Sequence, residues 1–317
     1  MRETDLLKRI YQRSAALGGG HGVVVGPGDD CAVVRVGGAD LLLTVDQLIE
    51  GRHFVGPIMA GDSPSNLRGT RADLVARKAV ARSVSDIAAM SGTPRWALAT
   101  AALPANFPQA LADELFDHFS AWALHWGCPV VGGDISATDG PAAFTLTIGG
   151  EPEPARGPVL RSGARVGDKV YVTGRLGGSF ASGRHLTFEP RVKEGQWLAR
   201  HLGAALHAMI DISDGLGLDG HRVGNASGAR LRIAAPALPR HEGIKTWQAA
   251  CADGEDHELL FVTAPGANVP PSCPLTGTVL TEIGTVVDGA PGCFLVDERG
   301  VEHDGAKAGF LHGSGSG

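Results

Sequence analysis

The sequence predicts a mixed α/β (α+β) protein built from two domains. Strand-length runs of β-branched and aliphatic residues alternate with longer segments of helical periodicity along the chain. Residues 151–158 are rich in proline and glycine, which is typical of a linker. The 317 residues are enough for two domains of ordinary size. We therefore expect an N-terminal domain at residues 1–150 and a C-terminal α/β domain at residues 151–317.

The N-terminal half opens with an amphipathic segment and continues with strands that end at glycine or aspartate. Alanine, valine and isoleucine then recur at helical spacing in a long segment that ends at Ser91-Gly92. We expect helices at residues 3–17, 72–90 and 109–126. We expect strands at residues 23–25, 31–36, 41–45, 96–103, 129–132 and 143–149.

The C-terminal half repeats the pattern of strand, small residues, carboxylate and helix. A glycine-rich turn is expected at residues 174–183, and a strand-to-helix turn carries Asp211 and Asp214. We expect strands at residues 169–172, 231–233, 259–262 and 292–296, and helices at residues 196–207, 215–225 and 244–252.

Composition and charge exclude several classes of protein. The net charge of -6 comes without a basic block, so nucleic acid is not an expected partner. No apolar stretch reaches the roughly 18 residues that a membrane span requires, and the first residues lack the apolar region of a signal peptide. The five cysteines are widely spaced and odd in number, which favours reduced thiols over a disulfide framework. We therefore expect a cytoplasmic protein with no membrane partner.

Six runs of small or β-branched residues end in aspartate. Any one of them is typical of a turn or a helix N-cap, and Asp86 could also pair with Arg82 one helical turn away. Six runs that each adjoin an apolar segment indicate instead a carboxylate cluster that cations neutralise, and magnesium with phosphate ligands is the usual reason. The candidate metal ligands in these runs are Asp30, Asp46, Asp86, Asp134, Asp211 and Asp214.

The common phosphate-binding loops are absent from the sequence. No lysine directly follows a glycine, which excludes a Walker A loop, and the protein-kinase and dinucleotide-binding motifs are missing too. A nucleotide would therefore be bound through carboxylates and metal ions. Arg52 and His53 follow the Asp46 strand and suit an anionic second substrate. Arg161 follows the linker and could reach a phosphate from the second domain.

The order and spacing of five motifs indicate a relationship to a known family. These motifs are Gly26-Pro27-Gly28-Asp29-Asp30, the stretch from Thr44-Val45-Asp46 to Arg52-His53-Phe54, Ser85-Asp86-Ile87-Ala88-Ala89-Met90, Gly132-Gly133-Asp134 and Ile210-Asp211-Ile212-Ser213-Asp214. Together they resemble the thiamine-monophosphate kinase family, which belongs with the aminoimidazole-ribonucleotide synthetase-like ATP-binding enzymes. The resemblance covers nearly the whole chain, as far as Glu255 and its neighbours.

The resemblance implies a fold and an activity. The implied fold is two-domain and aminoimidazole-ribonucleotide synthetase-like, with N-terminal domains that form a barrel across a homodimer and a C-terminal α/β domain that closes over nucleotide and substrate. The implied activity is ATP-dependent phosphorylation of thiamine monophosphate to thiamine diphosphate, the last step of thiamine diphosphate biosynthesis. The γ-phosphoryl group would pass directly and in line, with several Mg²⁺ ions as cofactors and K⁺ as a further candidate ion.

The resemblance also assigns roles to residues of this sequence. Catalysis would rest on metal bound by Asp46, Asp86 and Asp134, without a protein nucleophile. The implied ATP contacts are Gly133, Asp134, Arg161 and Ser213, and the implied contacts of thiamine monophosphate are His53, Glu255 and Phe310. The implied metal ligands are Asp30, Thr44, Val45, Asp46, Asp86, Asp134, Asp211 and Asp214.

The sequence departs from the family pattern at four positions. Val45 stands where threonine is usual, so it could bind metal only through its carbonyl oxygen. Ser83 replaces a frequent asparagine, and Asp253 and His257 replace the usual glycine and tyrosine near Glu255. Two alternatives stay open: another ATP-dependent member of the same superfamily, or a nucleotide-binding protein without turnover.

Overall fold

The structure, a computed structural model, describes residues 3–15, 20–62 and 68–308. In the N-terminal half the helices are α1 (Glu3–Ala15), α2 (Ala72–Ala89) and α3 (Gln109–His125). The strands are β1 (Val23–Val25), β2 (Ala32–Val36), β3 (Ala39–Ile49), β4 (Ile58–Met59), β5 (Thr70–Arg71), β6 (Gly92–Pro104), β7 (Val130–Thr138) and β8 (Ala143–Pro152).

The C-terminal half has the same mixture of helices and strands. Its strands are β9 (Lys169–Thr173), β10 (Leu206–Asp211), β11 (Arg230–Ala234), β12 (Leu259–Thr263), β13 (Leu280–Val287), β14 (Gly292–Val296) and β15 (Glu302–Asp304). Its helices are α4 (Ser179–Ser182), α5 (Val192–Leu202), α6 (Leu216–Ser227) and α7 (Trp247–Ala252).

Two sheets organise most of these elements. The first has the strand order β1-β2-β3-β8-β6-β7 and is antiparallel except for the β6–β7 pair. The second has the order β10-β12-β9-β13-β11-β14-β15, with β11 and β14 parallel. Because β8 ends at Pro152 and β9 begins at Lys169, each sheet is built from one half of the chain. The predicted mixed class is confirmed, and the domain division at residue 150 stays a prediction.

Strand β3 divides its side chains between the two faces of the first sheet. Leu42, Thr44 and Leu48 are buried, whereas Val45 is 62% exposed. Helix α2 packs against β3, β6 and β8 on the buried side, which we call the inner face, and the opposite side is the outer face. The alternation of side chains along a strand therefore places Thr44 and Asp46 on the inner face and Val45 on the outer face.

Helix α2 lies between the two halves of the molecule. Its sequence is rich in alanine, and most of its residues are buried, so neighbouring elements approach it closely. Besides the first sheet it contacts α3 and, from the C-terminal half, α5 and β10. Side chains on α2 can therefore reach both halves.

The long helices and the apolar strands agree with the sequence prediction, whereas several shorter segments differ from it. Strand β7 continues to Thr138, far beyond the predicted 129–132. The prediction ends early because the exposed residues of β7 lack the apolar alternation that marks a strand. The predicted helix 196–207 ends at Leu202, and its last residues belong to β10, whose apolar run suits either structure. Strand β13 lies outside every predicted element. No helix in the described part of the chain is long and apolar enough to cross a membrane.

Candidate functional site

Three aspartates from distant parts of the sequence meet at one point. Asp30 lies between β1 and β2, Asp86 lies on α2, and Asp211 is the last residue of β10. One carboxylate oxygen from each lies within 4.8 Å of the others. Asp30 and Asp211 are buried. Oxygen ligands from three carboxylates at this spacing are the kind of site that holds a hard divalent cation. We call these residues the carboxylate cluster.

Neighbouring side chains orient two members of the carboxylate cluster. The hydroxyl of Thr44 donates a hydrogen bond to Asp86. The hydroxyl of Ser85 donates to Asp211 over 2.7 Å, and Nδ1 of His257 contacts the same oxygen at 3.2 Å. These hydrogen bonds, from β3, α2 and the segment before β12, fix the carboxylates from both halves of the molecule.

Arg161 secures the third member of the cluster. Its guanidinium donates to Asp30 over 2.7 Å and to the carbonyl oxygen of Gly28 over 3.2 Å. Its backbone N–H donates to Asp29 over 3.1 Å, so Asp29 supports the arginine rather than joining the cluster. Arg161 therefore crosses from the C-terminal half to the N-terminal half, where its side chain contacts a carboxylate. Its predicted contact with a phosphate stays a prediction.

The pKa values of Asp30 and Asp86 are raised, which indicates that negative charge is in excess around these two carboxylates. Burial raises the pKa of Asp30 to about 7, although Arg161 opposes the shift. Burial, with the charge of Asp46 as the next cause, raises the pKa of Asp86 well above its usual range. In the described part of the chain the Oδ2 atom of Asp30 is buried without a hydrogen-bond partner. A bound cation would be the missing partner of this oxygen and would supply the opposing charge, so the residues fit a metal site.

A pocket adjoins the carboxylate cluster and is rich in charged side chains. His53, Ser213, Asp214 and Glu255, all predicted from the sequence, line it together. The remaining lining residues are Arg52, Arg82, Gly254 and His257. Two arginines in a pocket beside a candidate metal site suit a phosphate-bearing ligand.

A fully buried lysine contacts Glu255 in this pocket. The ammonium group of Lys78, on α2, donates to Glu255 and contacts Nδ1 of His185 at 2.8 Å. The same ammonium group donates to the backbone carbonyl of His53. Burial alone would raise the pKa of Glu255, but the hydrogen bond from His185 and the charge of Lys78 hold it below its usual range. The carboxylate is therefore ionised and fixed in orientation.

Some predicted residues lie away from the cluster. Val45 points to the outer face, so only its backbone is available on the inner face. Asp134 aligns across the sheet with Thr100, Thr145 and Gln47, which also places it on the outer face. Gly133 occupies the adjacent inner-face position on β7. Phe310 lies outside the described residues, so its predicted role stays a prediction.

Helix α2 supplies the predicted Asp86 and also Lys78 and Arg82, which the sequence prediction did not assign to the site. Arg82 lies 3.6 Å from Asp46, whereas Asp86 receives its hydrogen bond from Thr44; the alternative ion pair between Asp86 and Arg82 is not what the structure shows. Lys78, Arg82 and Asp86 recur every four residues, and this spacing places them on one face of a helix. This spacing can be recognised in the sequence. The residues that these three side chains contact cannot, because they lie in segments far along the chain.

Comparisons with known proteins identify the fold. Residues 28–151 match the family model described as AIR synthase related protein, N-terminal domain. The solved structure of E. coli HypE, a hydrogenase maturation protein, is similar to this chain with a TM-score of 0.66 at 19% identity, and the match covers 83% of this chain and 85% of that one. The fold is therefore that of the AIR synthase-related proteins.

Relatives of higher sequence identity define the family within this fold. Thiamine-monophosphate kinases from Rhodopirellula baltica, Aquifex aeolicus and Escherichia coli K12 are 36%, 33% and 32% identical to this chain. These matches cover 84%, 88% and 95% of this chain and 84%, 92% and 96% of the relatives. A solved structure described as AaThiL complexed with AMPPCP and TMP has a TM-score of 0.75 at 29% identity, over 98% of this chain and 99% of that one. The chain belongs to the thiamine-monophosphate kinase family.

Proposed function

We propose that this protein transfers the γ-phosphoryl group of ATP to the phosphate of thiamine monophosphate, giving thiamine diphosphate and ADP. The observation that carries the proposal is the carboxylate cluster beside a pocket that contains Arg52, Arg82 and Glu255. One part suits the metal-bound phosphates of a nucleotide, and the other suits an acceptor that carries both a phosphate and a cationic ring. Family membership and the complex reported for AaThiL support the same substrates.

Magnesium is the proposed cofactor, with K⁺ as a further candidate ion. Asp30, Asp86 and Asp211 would hold one ion, and Thr44 and Asp46 reach the same inner face. Asp214 lines the pocket next to them. Bound Mg²⁺ would neutralise phosphate charge and polarise the group in transfer. ATP would lie along Gly133, Asp134, Arg161 and Ser213, as the resemblance implies.

The reaction needs little covalent chemistry from the protein. The bond between the γ-phosphorus and the β,γ-bridging oxygen breaks, and its electron pair leaves with ADP. A bond forms between the γ-phosphorus and an oxygen of the substrate phosphate, which is already ionised near neutral pH. We therefore propose direct transfer: the protein positions both phosphates in line and stabilises charge, and no side chain becomes phosphorylated.

A homodimer is part of the proposal. Val45 and Leu98 are exposed apolar residues on the outer face, and Val131 and Ile135 are exposed on the edge strand β7. An apolar sheet face with an open edge is typical of an interface. A second copy on this face would form the barrel that the resemblance implies. The two-domain division and the cytoplasmic location, which suits five buried free thiols, belong to the same proposal.

A coupled assay of ADP release tests the proposed activity. We expect ADP release that requires thiamine monophosphate and Mg²⁺ and that yields one thiamine diphosphate per ADP. A rapid quench with γ-labelled ATP should recover no labelled protein. Turnover only with an aminoimidazole precursor would favour the other superfamily members instead, and nucleotide binding without any turnover would favour a non-catalytic protein.

A further inference from the structure

Arg82 occupies the junction between the carboxylate cluster and the pocket. It lies on α2 and lines the pocket, with 14% of its side chain exposed. One helical turn earlier Lys78 contacts Glu255, and one turn later Asp86 belongs to the cluster. The guanidinium of Arg82 therefore lies between the parts of the site that suit the nucleotide and the acceptor.

The hydrogen-bonding capacity of Arg82 is largely unused. Its Nη1 atom donates to the carbonyl oxygen of Gln47 over 3.3 Å. Its Nη2 atom lies 3.6 Å from Oδ1 of Asp46, which is longer than a good hydrogen bond. Its Nε atom is buried and has no partner among the described residues. The long contacts of Nη1 and Nη2 leave donors for a ligand in the pocket, and the unpartnered Nε shows that the described residues alone do not satisfy this guanidinium.

We propose that Arg82 is a catalytic residue that binds the acceptor phosphate and then donates to oxygens of the phosphoryl group in transfer. This inference rests on the proposed function and adds a residue to it. Arginine presents a planar fork of donors that matches phosphate oxygens, and its charge is permanent. Donors aimed at the group in transfer stabilise the charge that spreads over it, and an arginine in this role can raise phosphoryl transfer by orders of magnitude.

The competing interpretation is that Arg82 only neutralises Asp46. In that case any positive charge at this position would serve, and lysine would replace arginine without loss. The two interpretations therefore differ in what the Arg82→Lys substitution does, because lysine keeps the charge but loses the planar fork.

The experiment measures kcat, the affinity for thiamine monophosphate and the affinity for an ATP analogue in Arg82→Ala and Arg82→Lys. We expect kcat to fall by at least about 100-fold in Arg82→Ala and at least about 10-fold in Arg82→Lys. We expect weaker binding of thiamine monophosphate by calorimetry, with little change in binding of the ATP analogue. Low concentrations of guanidinium should restore part of the activity of Arg82→Ala, because the free cation can occupy the vacated position.

Arg95→Ala is the matched control, since Arg95 is exposed, pairs with Glu151 and is not one of the residues that line the pocket. Its kcat should stay within about two-fold of wild type and should not respond to guanidinium. A kcat of Arg82→Ala within about three-fold of wild type overturns the inference, as does a wild-type kcat in Arg82→Lys. If Arg82→Ala does not fold, Arg82→Lys and Arg82→Gln decide the question by the same measurements. A wild-type protein that releases no ADP with thiamine monophosphate contradicts the proposed function itself, whereas an active wild type with an active Arg82→Ala contradicts only the role of Arg82.

Discussion

At the scale of single residues, Asp46 connects the carboxylate cluster with the pocket. Its side chain is 28% exposed and lies near Arg82, and its charge contributes to the raised pKa of Asp86. Among the described residues its side chain makes no buried hydrogen bond, and its contact with Arg82 is long. Asp46 therefore matters as a metal ligand, and substituting it should change turnover without changing the stability of the fold.

We predict that Asp46→Asn lowers kcat by at least about 100-fold and leaves the melting temperature nearly unchanged, because the substitution removes a charged metal ligand without changing volume. The ADP-release assay and a thermal melt measure the two effects. Asp40→Asn, on the same strand and paired with Arg35 at the surface, is the control and should behave as wild type. Near-normal turnover in Asp46→Asn would remove this residue from the site.

Asp256 allows a prediction about pH that does not involve the candidate metal ligands. Burial raises its pKa from 3.8 to about 8, and the backbone N–H of Gly177 donates to it. Since the folded state holds this proton more tightly than the unfolded state, the contribution to stability is full below 3.8 and is lost as the pH rises towards about 8.

We predict that the wild type loses stability relative to Asp256→Asn as the pH rises from about 5 to about 8.5, because asparagine stays neutral throughout this range. Urea unfolding of both proteins at several pH values measures the difference in free energy of unfolding. A difference that does not change with pH would mean that Asp256 is ionised in the folded protein throughout.

At the scale of elements, the pairing of β6 with β7 depends on one glycine. A Cβ atom at Gly133 would lie 1.8 Å from the carbonyl oxygen of Ala99, so no larger residue fits unless the strands separate. At the neighbouring Gly132 a Cβ atom would meet only the end of the Leu98 side chain, at 3.2 Å. The two glycines of the Gly-Gly-Asp motif therefore have different structural roles.

We predict that Gly133→Ala lowers the free energy of unfolding by about 3 kcal/mol, whereas Gly132→Ala costs about 1 kcal/mol or less. The larger effect arises because a backbone oxygen cannot move away without breaking the β6–β7 ladder. Chemical unfolding of the two variants in parallel provides the measurement. Equal stability of the two variants would show that β7 can shift freely.

The elements that the sequence predicts best are those whose own side chains determine their structure. Helix α2 and strand β3 carry strong periodic patterns that predict their structure. The structure brings Asp86 on α2 together with Asp211 at the end of β10. Strand β7 and the partners of Arg82 were not predictable in the same way. An exposed edge strand has no apolar pattern, and the contacts of Arg82 and Lys78 depend on segments far away in the chain.

At the scale of the whole molecule, two of the implied metal ligands lie on opposite faces of the first sheet within one copy of the chain. Asp46 is on the inner face of β3, whereas Asp134 is on the outer face of β7, with β8 and β6 between the two strands. The resemblance nevertheless assigns both residues to the group that holds several Mg²⁺ ions. If the outer face is the homodimer interface, Asp134 would serve the site of the partner subunit.

We predict that a mixed dimer of Asp46→Asn and Asp134→Asn subunits has about half of the wild-type activity, although each parent dimer is inactive. One of its two sites then combines an intact Asp46 with an intact Asp134 from the other subunit. Co-expression with two different affinity tags isolates the mixed dimer for the ADP-release assay. The control pairs a wild-type subunit with an Asp46→Asn/Asp134→Asn subunit and should be inactive. The reverse pattern would mean that both aspartates act within one subunit.

Helix α2 carries Lys78, Arg82 and Asp86 on three successive turns, and this limits how the site can change. Adding or deleting one residue between them would rotate every later side chain by about 100° around the helix axis. The loops around α4 and Glu255, at residues 177–191 and 253–258, lie outside this helix register. Substrate range can therefore diverge through the loops, while the helix register keeps the reaction distance constant.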